Sequence, residues 1–272
     1  MVSHRRLIAP ISVTLLILVA GLAFLNLRPS YLGPPPILDP SFQLWVGDPD
    51  SRKLMLWDLE YVKGLGDQVS LQETALAGKR AIEFLIVQDG SDSEPVYAYL
   101  RQNQTIDGAR LTELLTGDIG VWILTEPCNC DRTMTARSII FGIEVNDGLH
   151  TLTFIFSDRV IEATTILAHR FVYLPTQPGT WTYQHINVTE QYRVAQWGLP
   201  ERLIFSLVFE VGGFATGSHS AYVNSFHVTK PQLHTGPLDS SKTGQSGFSS
   251  SNVWCFDLAR YGLSHLGVKG LT

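Results

Sequence analysis

The chain has 272 residues with 20 Lys+Arg against 25 Asp+Glu, a formal charge of −5, and is 44% apolar and 17% charged. That balance excludes a wholly disordered chain, and the basic footprint of a general nucleic-acid binder is missing. Three cysteines are too few for a disulfide scaffold, and the length suits one or two domains.

His4, Arg5 and Arg6 close a stub, residues 1–6, ahead of an uncharged apolar run from Leu7 to Leu27. As a helix this run would span about 31 Å at ~1.5 Å per residue, close to the ~30 Å hydrocarbon core of a bilayer. Pro10 sits in its first turn, where a missing N–H costs little. The run predicts a transmembrane signal-anchor helix over 7–27. The rival is a cleaved signal peptide with Gly21-Leu22-Ala23 as its cleavage site, but the apolar stretch exceeds the usual ~7–15-residue signal core. Basic residues precede the run and only Arg28 follows closely. The N-terminus is therefore expected in the cytoplasm and the bulk of the chain outside, with the bilayer as a partner of residues 7–27. Residues 28–36, ending in Pro34-Pro35-Pro36, read as a stiff spacer.

Residues 37–230 form a succession of short runs with period-two alternation. Candidate strands are Leu54–Val62, Val69–Glu73, Arg80–Val87, Val96–Arg101 and Ile119–Thr125. In the next, Ile139, Phe141, Ile143 and Val145 share one face, with Ile140, Gly142, Glu144 and Asn146 on the other. Asn146-Asp147-Gly148 supplies a hairpin turn, and the returning run points Leu152, Phe154 and Phe156 inward and Thr151, Thr153 and Ser157 outward. Thr165–Tyr173, Trp181–Val188, the stripe Leu203 to Val211 and Ala221–Thr229 complete the set. One helical stretch, Thr189–Trp197, is closed by Gly198 and Pro200. About ten strands with few helical patterns between them predict an all-β fold, an antiparallel β-sandwich or jelly roll. Residues 231–252 are rich in Ser, Gly and Thr and read as a flexible linker. Residues 253–272 place Trp254, Leu258 and Tyr261 at helical spacing, which fits a short docking helix or a disordered tail.

Four stretches carry a family likeness. They are Ile37-Leu38-Asp39-Pro40-Ser41-Phe42, Pro178-Gly179-Thr180-Trp181, the stripe Leu203 to Val211, and Ser220-Ala221-Tyr222-Val223-Asn224-Ser225-Phe226-His227-Val228. Together they resemble the opening, a late turn and the closing strands of the galactose-binding-domain-like jelly rolls, a group that includes many carbohydrate-binding modules. The resemblance implies a jelly roll over 37–230 and a carbohydrate among its candidate ligands. Asp39 stands for the usual Asn, Gln43 for the usual Glu, and Asn224 and Ser225 replace the closing acidic pair. The structural calcium that family members often bind near these termini thereby loses acidic oxygens.

The chain lacks a nucleophile elbow, a His-Glu-x-x-His helix, a P-loop and a dinucleotide fingerprint, so no cofactor and no enzyme are expected. His219 and His227 are expected on one strand face about 26 Å apart at ~3.3 Å per residue, too far to share a metal. Asp48-Pro49-Asp50 and the run from Asp89 to Glu94 are turn-forming loops before they are calcium sites. Cys128 and Cys130 suggest a tight disulfide outside the membrane, with pairing to Cys255 as the alternative. Asn103-Gln104-Thr105 and Asn187-Val188-Thr189 match the N-glycosylation pattern.

Trp57, Tyr97, Tyr99, Trp122, Trp181, Tyr183 and Trp197 are candidates for stacking on a sugar ring. Trp181, Tyr183 and His185 share a half-polar strand face and are the expected ligand-binding residues. A glycosidase needs two facing carboxylates, for which Glu83, Glu144 and Glu210 lie within strands. Alternation accounts for all three as outward polar positions. The expectation is a membrane-anchored, extracytoplasmic, non-catalytic recognition domain with a glycan or protein partner. A structural subunit of a membrane or envelope complex is the alternative, and an anchored hydrolase the third.

Overall fold

The computed structural model describes residues 34–48, 52–90, 94–127 and 139–229. The chain divides into two units, Met1–Pro35 and Pro36–Thr272, and almost all described residues belong to the second. The predicted anchor over 7–27, the linker 231–252, the tail 253–272 and Cys128, Cys130 and Cys255 lie outside the described residues. Among the described residues no helix is long and apolar enough to cross a membrane.

In chain order the strands are β1 (Trp45–Val46), β2 (Lys53–Leu54), β3 (Trp57–Val62), β4 (Gln68–Leu76), β5 (Lys79–Gln88), β6 (Val96–Gln102), β7 (Ile106–Asp107) and β8 (Asp118–Thr125). They continue as β9 (Ile139–Asn146), β10 (Thr151–Ser157), β11 (Thr164–Ile166), β12 (His169–Pro175), β13 (Thr182–Ile186), β14 (Arg202–Val211) and β15 (Gly217–Thr229). Helix α1 (Gly108–Thr116) lies between β7 and β8, and α2 (Val188–Val194) between β13 and β14. A broad sheet runs in the order β11-β12-β10-β9-β14-β6-β3, with β7 paired to the start of β14. A narrow sheet runs β13-β8-β15-β5-β4, and β1 pairs with β2.

The inner faces of the two sheets meet through aromatic side chains. Phe84 of the narrow sheet packs 5.7 Å from Phe141 and 6.4 Å from Phe209 of the broad sheet, ring centre to ring centre. Farther along, Phe42, Trp57, Phe205 and Phe226 form a second nest with centroid separations of 5.2–6.2 Å. Burying each such ring contributes about 1.5–3 kcal/mol. This nest also joins the opening and closing stretches of the family likeness. The Phe226 N–H donates to the Pro40 carbonyl at 2.8 Å, and Asp39 accepts from the N–H groups of Gln43 and Leu44. Asp39 and Phe42 hold φ of 43° and 54°, a left-handed geometry fixed here by that carboxylate and by burial of the Phe42 ring.

The all-β sandwich stands, with three corrections. The sheet is not purely antiparallel, because β10 and β12 run parallel, with Thr151 opposite His169 and Ser157 opposite Pro175. The expected strand Thr165–Tyr173 is two strands, β11 and β12, folded at Leu167, whose φ is 53°. Helix α1 was not anticipated, since its Gly and two Thr are weak helix formers. It forms because Leu111 and Leu114 reach the core, while Thr112 and Thr116 return their hydroxyls to carbonyls one turn back. The predicted helix near Thr189 is α2, capped by Asn187, whose side chain accepts from the Glu190 N–H at 2.7 Å.

Candidate functional site

Each sheet presents an outer face, and period-two alternation assigns the side chains on it. On the narrow sheet two of the three expected ligand residues, Tyr183 and His185, come together. Tyr183 lies opposite Trp122 with ring centres 5.0 Å apart, and His185 meets Tyr183 edge-on at 4.8 Å. Much of this cluster is engaged within the protein. Lys79 Nζ sits 4.1 Å from the centre of the Trp122 ring, and the Trp181 indole N–H donates to the Leu76 carbonyl at 3.2 Å. The Tyr183 hydroxyl occupies the space that Gly120 leaves open, where a Cβ would come within 1.9 Å of it. Beside the cluster, Glu83 accepts hydrogen bonds from Gln72, Ser220 and Tyr222 at 2.6–2.9 Å. Burial pushes its carboxyl up, but these three donors outweigh burial and hold it below the ordinary value.

On the broad sheet three register rows define the outer face. One row runs Asp58, Arg101, Ser206, Glu144, Thr153, Phe171. The next runs Glu60, Tyr99, Val208, Gly142, Ile155, Tyr173. The third runs Val62, Tyr97, Glu210, Ile140. One flank of the face is walled by a second apolar cluster, in which Ile161, Ile166 and Tyr173 pack on Ile140, Ile155 and Phe171.

Glu144 and Glu210 were expected as ordinary outward polar positions. They do face outward, yet they are only 6% and 8% exposed, and neither carboxyl has a hydrogen-bond partner among the described residues. Desolvation pushes both up to about 7, against a modest pull downward on Glu144 from the Arg101 charge. Arg101 donates through a terminal nitrogen to Glu60 at 3.3 Å, while its Nε is buried and makes no hydrogen bond. Thr151, Thr153 and Ser157, also expected outward, are buried on the same face. This face therefore holds two largely buried glutamates beside a partly exposed arginine whose Nε alone is buried. The sequence marked Tyr97, Tyr99, Glu144 and Glu210 separately. What it lacked was the strand order that brings β6, β9 and β14 side by side.

Other expected residues fall into structural roles. Trp57 is 1% exposed in the core, and Trp197 stacks on His150 at 4.4 Å, so neither offers a free ring. A bulge in β15 between Val223 and Phe226 reverses the alternation, placing His219 and His227 on opposite faces instead of one. His219 is engaged at both ring nitrogens, by Glu126 at 3.0 Å and the Ala215 carbonyl at 2.8 Å. The hydrogen bond to Glu126 is the main reason that its pKa rises. Asn187 uses its amide oxygen as the α2 cap and its amide nitrogen toward Asp118, while Asn103 is exposed and donates to the Met55 carbonyl. Among the described residues no group of three or more His, Cys, Asp or Glu is placed to hold a metal ion.

No family model matches the chain, and no curated protein matches it. Among solved structures, the chain is similar to a carbohydrate-binding module of the β-sandwich superfamily, at 11% identity and a TM-score of 0.37. That match covers 65% of this chain and 58% of the other, so the chain spans little more than half of that structure's length. It is similar to the family 11 carbohydrate-binding module of a cellulosomal cellulase of Clostridium thermocellum, at 11% identity and a TM-score of 0.36, covering 68% and 93%. It is also similar to the family GH12 endoglucanase 3 of Trichoderma harzianum, at 11% identity and a TM-score of 0.35, covering 64% and 98%.

Proposed function

We propose that this domain recognises carbohydrate on the outer face of its broad sheet, displayed outside the cell on the apolar segment 7–27. The observation that carries it is the pair of glutamates Glu144 and Glu210, only 6% and 8% exposed and making no hydrogen bond among the described residues, beside the Arg101 Nε, which is buried without a partner. Buried polar groups of this kind are costly unless something satisfies them. A saccharide supplies hydroxyls that donate to carboxyl oxygens and accept from a guanidinium, and apolar ring faces that stack on Tyr97 and Tyr99. The narrow face is the second candidate, favoured by its Trp122, Tyr183 and His185 cluster.

The test is the full-length protein, solubilised in a non-glycosidic detergent, on a glycan array with and without calcium. Binding is expected to fall at least tenfold in Tyr99→Ala and to survive in Tyr183→Ala. The reverse pattern would move the site to the narrow face. A folded protein that retains no glycan would remove the carbohydrate reading in favour of a protein contact.

A further inference from the structure

We propose that His219 is a pH-sensitive latch: as an imidazolium it ties the connection between β14 and β15 to the exit of β8, and loss of its second ring proton unties them. The latch does not depend on which face of the domain takes a ligand. His219 lies near the start of β15 and alternates with Ala221 and Val223, both fully buried. Its ring therefore turns to the inner side of the narrow sheet, at the rim of the core, and the side chain is 12% exposed. Ser220 and Tyr222 take the outer side, where both donate to Glu83.

Both ring nitrogens of His219 meet an acceptor. Nδ1 lies 3.0 Å from one carboxylate oxygen of Glu126, and Nε2 lies 2.8 Å from the Ala215 carbonyl oxygen. A neutral imidazole has one N–H and one lone pair, so it satisfies one of the two and turns its lone pair against the other. Only the imidazolium donates to both at once. The other oxygen of Glu126 accepts from the Ser220 N–H at 2.7 Å, which holds the carboxylate beside the ring.

The latch holds a short connection. Val211 ends β14, Gly217 opens β15, and between them Gly212 and Gly213 leave the backbone free to bend. The Ala215 N–H closes a turn onto the Gly212 carbonyl at 2.8 Å, and Ala215 packs against the core. Thr216 covers Gly90, where a Cβ would meet its methyl at 2.4 Å. Once the ring is neutral, either the Ala215 carbonyl or Glu126 has lost its donor, and the glycine pair lets the connection swing outward.

The charged surroundings of the ring are few among the described residues. Glu126 stands at the exit of β8, β5 presents the uncharged Ile86 in register, and Thr216 contributes only its backbone. Glu83 and Tyr222 are on the far side of the sheet, bonded to each other at 2.9 Å. The hydrogen bond to Glu126 raises the imidazole above its ordinary value and outweighs burial, which pulls the other way. A raised folded value makes the latch complete below the unfolded value, and it is lost as pH rises through the folded one.

The test is NMR of the full-length protein, solubilised in detergent and labelled at histidine rings and alanine methyls, titrated from about pH 5 to about pH 9. The His219 ring signal, identified by its loss in His219→Gln, is expected to titrate above the ordinary histidine value of about 6.5, with both nitrogens protonated below its midpoint. The Ala215 methyl should shift with the same midpoint and become more mobile above it. Glu126→Gln should move both midpoints to lower pH, and His219→Gln should abolish the methyl's titration. A His219 midpoint at or below the ordinary value would overturn the latch. So would an Ala215 methyl whose mobility ignores that midpoint, and an unmoved midpoint in Glu126→Gln would remove Glu126 as the holder of the ring. The parent titration decides the matter by itself should either variant fail to fold.

Discussion

On the narrow sheet Glu83 is surrounded by donors from Gln72, Ser220 and Tyr222, whereas on the broad sheet Glu144 and Glu210 have no donor among the described residues. All three sit at outward positions of central strands. Their electrostatic fates differ because one face satisfies its carboxylate and the other only removes water from it. Hydrogen bonds hold Glu83 below the ordinary carboxyl range, while desolvation lifts the other two to about 7. A surface built for stability satisfies its polar groups internally, as the Lys79, Trp122 and Tyr183 cluster also does. A surface that keeps buried groups unsatisfied gives up stability, and a ligand able to complete them can recover it.

The sharpest way to break this comparison is through pH. A carboxyl whose folded pKa lies above its unfolded one binds protons more tightly when folded. Its stabilising effect is complete below the unfolded value and is lost as pH rises toward about 7. Glu144 and Glu210 should each cost on the order of 2–3 kcal/mol of stability between pH 4.5 and 8. Urea midpoints are therefore expected to fall over that range. Glu144→Gln and Glu210→Gln should each flatten the fall and come out more stable than the parent at pH 8. An unchanged slope in both variants would mean that the broad face is wetter than its burial implies.

Glycines provide the next contrast. Gly142→Ala drives a Cβ against the fixed backbone oxygen of Phe154, and overpacking of this kind costs about 1–3 kcal/mol. Gly120→Ala on the narrow sheet meets only the end of the Tyr183 side chain, which can swing aside, so less than about 1 kcal/mol is expected. Chemical denaturation of the two variants at pH 5 separates them. Equal losses would contradict a movable Tyr183.

The smallest effect belongs to Glu83. Its hydrogen bonds lower its folded pKa, so its contribution is present above the unfolded value and is lost as pH falls through the folded one. Glu83→Gln should cost about 1 kcal/mol at pH 7 and less at pH 3, the opposite sign of pH dependence from the broad-face pair. Thermal melts at the two pH values read the difference.

Local pattern settled much of this molecule. Alternation placed Ile139, Phe141, Ile143 and Val145 against the core, and Leu152, Phe154 and Phe156 opposite them, as the β9–β10 pairing has them. The Asn146-Asp147-Gly148 turn also holds, with the Gly148 N–H bonded to the Asn146 side chain at 2.7 Å and a Gly148 φ of 93°. Tyr183 and His185 were legible as one patch because they lie two apart on a single strand. Side-chain direction in a strand has a period of two, so neighbours along the chain reveal it.

Tertiary structure alone decided the rest. Nothing near Thr151 or His169 announces that β10 and β12 run parallel, because that pairing joins segments separated by another strand. The bulge that turns His219 and His227 apart is set by the unequal lengths that β15 and β8 use to reach the same register. Burial of Glu144 and Glu210 depends on which strands flank them and on the cluster that Ile161 and Ile166 build at the side. Within an unbroken strand, alternation local to the chain sets which way a side chain points. Desolvation depends on everything within about 10 Å, most of it distant along the chain, and so the burial of Glu144 and Glu210 could be seen only in the fold.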